Sequence, residues 1–461
     1  MAEWTVDELR GWDERIREQV AACGLDCYRQ EFEICDHQAM LSYMAYHGMP
    51  AHYPHWSYGK SFEKTRTLYD YGVTGLPYEL VINSDPCLAY LMDDNSLCLQ
   101  IFTIAHVYGH NDFFKNNFTF TSQTDAKETI GAFKVRADRV RSYIEDPSIG
   151  DEPVERILDA AHALAFCVSR DAAMRQMRPP PRAADTARAT ARATGDPYAL
   201  LHKREEQVDD DAETFPPEPV ADILAFIRDH HPKLDDWQRD LLDIVDAETR
   251  YFVPQIETKI MNEGWASYWH HKILESLNLP HDVQLEFMVR HNQVVCPHPG
   301  SINPYHVGFV LWHKIAERHG EEAIWAVRET DRDAAFLRRF LDAETMRELD
   351  LFSYAPKGDK LVVSEVADEE HWEAVKRKLI TQVGTGNNPS IRITDADFNR
   401  RRELYLMHEH DGRDLQLGYA ERTLQHLHTL WGRRVLLETK VNGKPTRLAY
   451  DEDGFDARLV V

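Results

Sequence analysis

Cysteine is scarce in this chain: seven in 461 residues, at 23, 27, 35, 87, 98, 167 and 296, with no Cys-x-x-Cys pair. Neither a disulfide framework nor a thiolate zinc finger fits that count and spacing, so buried free thiols are the plain reading. Long apolar runs are also missing, and no stretch approaches the ~18 apolar residues of a membrane-spanning helix. The first residues, MAEWTVDELR, lack the basic-then-apolar order of a secretory leader, and the expected compartment is the cytoplasm. Positive charge is in deficit, with 53 Lys and Arg against 77 Asp and Glu for a net charge of −24. That balance argues against sequence-independent nucleic-acid binding and against anionic membranes, both of which need clustered basic residues. A high-salt cytoplasm or a GC-rich genome would each produce the excess of acid and of Arg over Lys. Two common catalytic signatures are absent. Gly59-Lys60-Ser61 ends like a phosphate-binding loop, but Pro54 stands where that loop needs its first glycine, and there is no Gly-x-Ser-x-Gly elbow.

What is present is ample core material, 43% apolar residues, and the length suggests two to four domains. Thr5 and Glu8 have capping-box spacing ahead of Leu9, Trp12, Ile16 and Val20, which predicts a first amphipathic helix ending at Gly24. A second helix is expected from Tyr28 to about Tyr46. Residues 51–84, dense in aromatics, Gly and Pro, read as a long ordered loop with a strand only at LPYELVIN. Ser84-Asp85-Pro86 reads as a helix start, with helix from about 86 to 114, interrupted near 93–95. The second half of that helix is apolar on nearly every face, the mark of a buried helix.

Further helices follow at 126–146 and 153–170, and again from 219 to about 348. Between them, residues ~175 to 217 alternate Pro, Ala, Arg and Thr and then turn acidic, a composition that cannot offset ordering entropy. An insertion within one domain is preferred to a linker because helices resume at once. Beyond 350 the texture changes to short strands with two helices among them and an Asn442-Gly443 hairpin signal. The expected fold class is therefore α+β: a mostly helical, zincin-like main domain over 1–350 and a small α+β domain over 351–461.

The residues that carry chemistry centre on IAHVYGHN, where His106 and His110 stand four apart and so share one helix face. A zinc metallopeptidase writes this pair with Glu directly after the first His as the base; here that position is Val107. Two imidazoles on an apolar helix must still find hydrogen-bond or metal partners. Glu263 in MNEGWASYWHHKIL is the candidate third ligand, as gluzincins draw theirs from a separate helix, and Gly264 and Ala266 permit close packing. A helix-start dipole partner is the other reading of Glu263. With zinc as the expected metal, the missing base would come from Glu33, Glu63 or Glu79, and Lys60, Tyr58 or His270 would stabilise developing negative charge. No spacing selects among them. A ferritin-like dinuclear site is weaker, since it needs Glu-x-x-His and the 33–37 and 106–110 pairs are both four apart.

Five blocks in order, EFEICDHQAMLSYMAYHGMPAHYPHWSYGKSFEKT, YGVTGLPYELVINSDPCLAYLM, IAHVYGHNDFFKNNF, MNEGWASYWHHKIL and SINPYHVGFVLW, resemble the stage V sporulation protein R (SpoVR) family. The resemblance spans most of residues ~28 to 350 outside the insertion. It implies a sporulation or stress-response setting and association with a PrkA-type serine kinase and further proteins. His306 and His313 fall where the family leads one to expect apolar residues and are not counted as site residues. Two functions remain in view: a metal-dependent hydrolase of amide or peptidoglycan-like bonds, and a non-catalytic regulatory or scaffold protein.

Overall fold

The computed structural model describes residues 4–71, 79–167, 215–297, 302–351, 353–357, 360–365 and 372–460. Residues 175–214 of the expected insertion lie outside them. In chain order the elements begin with α1 (Val6–Ala22), β1 (Gln30–Cys35), α2 (His37–Ala45), α3 (Trp56–Asp70), β2 (Glu79–Ile82), β3 (Cys87–Met92), α4 (Leu97–Asn116), α5 (Phe118–Gln123), α6 (Thr129–Glu145) and α7 (Asp151–Leu164). They continue with α8 (Ile223–His230), α9 (Asp236–Glu257), α10 (Lys259–Ser276), α11 (His281–Val294), α12 (Pro304–His319), α13 (Glu321–Thr330), α14 (Asp333–Phe340) and α15 (Ala343–Glu348). A hairpin, β4 (Ser353–Lys357) with β5 (Lys360–Glu365), precedes α16 (Trp372–Gln382). The chain closes with β6 (Ile391–Phe398), β7 (Glu403–His408), α17 (Leu417–Trp431), β8 (Val435–Val441), β9 (Lys444–Asp451) and β10 (Gly454–Leu459). The protein is thus mostly helical with a C-terminal sheet, an α+β chain. None of the described helices is long and apolar enough to cross a membrane.

The chain divides into two compact units, Met1–Glu155 with Ala247–Asn387, and Arg156–Asp246 with Asn388–Val461. In the second, five strands run in the order β10-β9-β8-β7-β6. All neighbours are antiparallel except β7 and β8, the pair joined by α17, because a parallel pair needs a crossover. Asn442 and Gly443 both take positive φ, 50° and 75°, as the tight β8–β9 turn requires.

The first unit departs locally from the sequence expectations. Residues 30–35 form a strand rather than the start of a helix, and the helix waits for Asp36, whose carboxylate accepts the Ala39 N–H at 2.8 Å. The region 51–84 holds the helix α3 where a loop was expected; none of its residues is fully buried, so no apolar stripe announces it. Residues 87–92 are a strand, not a helix, and the next helix starts at the Ser96 cap. CLAYLM is the middle strand of the order β1-β3-β2. A strand buried on both faces reads as an unbroken apolar run, which periodicity alone does not separate from a buried helix.

Helix α10 lies between α4 and α12. The two contacts are close because small residues face each other: a Cβ added at Gly109 would sit 2.5 Å from Ala266 Cα, and one at Gly264 would sit 2.3 Å from Gly308 Cα. Both groups of side chains that matter below depend on this spacing. The start of α10 has no cap of its own, since Thr258 makes no capping bond. Asp333, 1% exposed, does this from another helix: its carboxylate accepts the Ile260 and Met261 N–H groups, both at 2.9 Å. Asp333→Ala leaves two buried N–H groups unpaired and is expected to cost about 2 kcal/mol or more. A urea-unfolding midpoint should fall accordingly, and Asp333→Asn, which keeps one acceptor, should fall less.

Candidate metal centre

Helix α4 is buried at every position from Cys98 to Phe114. Its polar side chains therefore have only protein groups to meet. His106 and His110 project one turn apart towards α10, their ring centroids 4.6 Å apart and their planes nearly perpendicular. Glu263, from the second turn of α10, enters between them. Its Oε2 lies 3.6 Å from His106 Nε2 and 3.4 Å from His110 Nε2. Asp112, two residues beyond His110, accepts the Trp265 Nε1–H at 2.9 Å and the Asp26 backbone N–H at 2.8 Å. That clamp fixes α4 against α10 just where the two histidines meet the carboxylate.

Those separations are too long for N–H···O hydrogen bonds, which run 2.7–3.2 Å. They match the ~3.4 Å edge between donors of a tetrahedral ion with bonds of ~2.1 Å. His106 Nε2 and Glu263 Oε2 are both buried and without a hydrogen-bond partner. Two unpartnered buried atoms facing one another across such a gap leave room that a cation could fill. Glu79, at the start of the edge strand β2, adds a carboxylate: its ligand atom and those of His106 and His110 lie within 4.8 Å of one another, a group that could hold a metal ion.

The surroundings orient each donor. His110 Nδ1 donates to Asn262 Oδ1 at 2.9 Å, which leaves its Nε2 to face Glu263. His106 Nδ1 lies 2.9 Å from His270 Nδ1, and His270 Nε2 lies 2.8 Å from His291 Nδ1. Glu263 Oε1 accepts from Lys259 Nζ, one turn back on α10, so only Oε2 is offered to the histidines. Charge follows from these contacts. Burial works against an ionised Glu263, but Lys259 and the two imidazoles hold its carboxyl well below the usual range. Burial pushes His106 down to about 4, against the pull of Glu263. His110 is shifted upward, because Glu263 and Asn262 together outweigh the effect of burial. Burial raises Glu79 to about 7, with His110 opposing. Tyr305, whose ring stacks 6.0 Å from His106, has its hydroxyl pushed well above the ordinary phenol range by the charge of Glu263 and by burial.

Comparison with known proteins places the chain. The model of the SpoVR-like protein family matches residues 3–388, and that of the SpoVR-like C-terminal domain matches residues 389–442. This chain belongs to the SpoVR family. It is 33% identical over 480 residues to the uncharacterised protein YcgB of Escherichia coli (strain K12), covering 95% of this chain and 92% of that protein. No solved structure matches.

Within this SpoVR-family chain, the site residues expected from the sequence separate into two sets. Glu79 and His270 join His106, His110 and Glu263. Glu33, Glu63 and Lys60 do not. Glu33 is on the exposed face of β1, where its carboxylate accepts from Tyr43 Oη at 3.2 Å, because alternation along the strand turns it away from its neighbours Phe32 and Ile34. Glu63 is exposed and paired with Arg66 at 2.6 Å on the same helix. Lys60 is exposed over the Trp56 ring. Tyr58 belongs to another buried cluster, its hydroxyl 3.2 Å from His52 Nε2, which in turn faces Glu248 Oε2 at 3.1 Å. His313 packs on Tyr268 and bonds to the Phe309 carbonyl.

Lys259, Asn262, His291 and Tyr305 are not among the residues expected from the sequence. Lys259 carried a signal, the i, i+4 spacing to Glu263 that suits an ion pair. His291 and Tyr305 carried none, since they reach the site from helices whose placement no local pattern encodes. Gly264 also does other work than expected. Its close contact is with Gly308 on α12, and Ala266 is the residue that meets α4, through Gly109.

Proposed function

We propose that this protein is a metal-dependent hydrolase acting on amide or peptidoglycan-like bonds, with His106, His110 and Glu263 holding a divalent ion, zinc in the first instance. The observation that carries the reading is the pair of buried, unpartnered atoms, His106 Nε2 and Glu263 Oε2, held 3.6 Å apart. The ion would supply Lewis acidity at neutral pH. This chain's own residues supply the rest. Glu79, with its carboxyl near 7 in the absence of an ion, is placed to take up the proton of the attacking water, the task that Val107 cannot perform. Tyr305 keeps its hydrogen and can donate it to a developing oxyanion. The donor set is zincin-like with its base moved to a strand, and the setting is the stress or sporulation response that the family resemblance implies.

The test is hydrolysis of peptidoglycan fragments and simple amides by tag-free protein with and without added zinc. Zinc-dependent cleavage is expected, lost in His106→Ala. Glu79→Gln should retain zinc while turnover drops by at least about a hundredfold, the low end of general-base contributions. Zinc loss in that variant would make Glu79 a ligand instead, and zinc-loaded wild type that cleaves nothing would remove the hydrolase reading. One observation favours a second reading: Val107, where a zincin carries its base, is fully buried. There the site is degenerate or structural, and output passes through partners, for which a PrkA-type serine kinase is the family's suggestion. Retained affinity for such a kinase in His106→Ala, without cleavage by wild type, would support it.

A further inference from the structure

Three buried histidines from three helices stand in line behind the proposed metal centre: His106 on α4, His270 on α10 and His291 on α11, exposed by 2%, 0% and 6%. The line has two links, His106 Nδ1 to His270 Nδ1 at 2.9 Å and His270 Nε2 to His291 Nδ1 at 2.8 Å. Each link needs one hydrogen, donated from one side. In neutral rings each imidazole carries a single N–H, so the choice at one ring dictates the choice at the next. Only two orders satisfy both links.

In one order His106 Nδ1–H donates to His270 Nδ1, and His270 Nε2–H donates to His291 Nδ1. His106 Nε2 is then bare. In the reverse order His291 donates inward, His270 donates to His106, and the hydrogen of His106 sits on Nε2. There it falls short of a hydrogen bond, as the facing Glu263 oxygen is 3.6 Å away. A buried N–H without an acceptor is rarer than an acceptor without a donor. The first order wins on that count.

We infer that His291, acting through His270, holds His106 as the Nδ1–H tautomer and so keeps its Nε2 ready for a metal ion. His291 is a positioning residue in this scheme and touches no ligand itself. The rings cannot rotate out of line cheaply, because His270 lies 4.3 Å from the Phe102 ring and His291 lies 4.9 Å from that of Phe309. The purpose rests on the metal-centre reading, whereas the tautomer order rests on the contacts alone.

The experiment is nitrogen-15 NMR of histidine-labelled, metal-free protein, with His106 identified by its loss in His106→Gln, alongside zinc titration. Wild type is expected to show His106 with hydrogen on Nδ1. His291→Phe, which removes the acceptor, should give a mixture of both tautomers and roughly 10- to 100-fold weaker zinc binding, the range for loss of an outer partner of a metal-ligating histidine. His291→Asn, whose Oδ1 can stand in for Nδ1, should restore both. A wild-type His106 carrying its hydrogen on Nε2, or a His291→Phe variant with the wild-type tautomer, overturns the inference. If the tautomers behave as expected but wild type takes no zinc, the metal reading fails and the histidine line stands.

Discussion

Glu263→Gln is expected to weaken zinc binding by about a hundredfold or more, at or beyond the upper end for losing even an outer partner of a ligating histidine. Glutamine has nearly the same shape, so the packing between α4 and α10 should persist and the loss should be electrostatic. The charge removed is the one that faces both His106 and His110 at 3.6 and 3.4 Å. A competition titration with a chelating dye reads the affinity directly, and circular dichroism checks the fold. Near-wild-type affinity in the glutamine variant would mean that Glu79 with the two histidines makes up the donor set without Glu263. Lys259 sharpens the comparison. Because it binds the other oxygen of Glu263 and its side chain is more than half exposed, Lys259→Met should change affinity far less than Glu263→Gln.

Gly109→Ala and Gly264→Ala should be among the most destabilising single changes in the chain. A methyl at 109 would meet the Ala266 backbone at 2.5 Å, and one at 264 would meet the Gly308 backbone at 2.3 Å. In neither case is the obstacle the tip of a flexible side chain, so the helices themselves must separate. Overpacking costs of this kind reach about 3 kcal/mol or more. Thermal unfolding should show the loss for both variants. Their effects on zinc should differ: Gly109→Ala forces apart α4 and α10, which carry opposite sides of the donor set, whereas Gly264→Ala displaces α12 and with it Tyr305. Equal stability to wild type in either variant would contradict the close approach.

How much of this was open to reading from the sequence depended on whether the signal was local. The strands β6 to β9 and the chemically specific Asn442-Gly443 turn are evident in the sequence, whereas β10 is not among the expected strands. The CLAYLM strand reads as helix because burial on both faces erases the period that separates the two. At the site, His106 and His110 were legible because four-residue spacing on an apolar helix leaves few explanations. Glu263 was legible only through its small neighbours, and one of those, Gly264, packs against a different helix from the one anticipated. Glu33, Glu63 and Lys60 find their partners outside the site. Lys60 and Glu63 ride on an exposed helix, and Glu33 faces outward from a strand. His291 and Tyr305 were invisible for the opposite reason, as tertiary packing alone brings α11 and α12 to the centre.

The central claim is that two imidazoles of α4 and a carboxylate of α10 share one divalent cation. Elemental analysis of tag-free protein, equilibrated with zinc and then passed through a desalting column, tests it most directly. One equivalent of zinc per chain in wild type, and none in a folded His106→Ala variant, is the predicted result. Wild type emerging without metal, or a His106→Ala variant that retains a full equivalent, would contradict it.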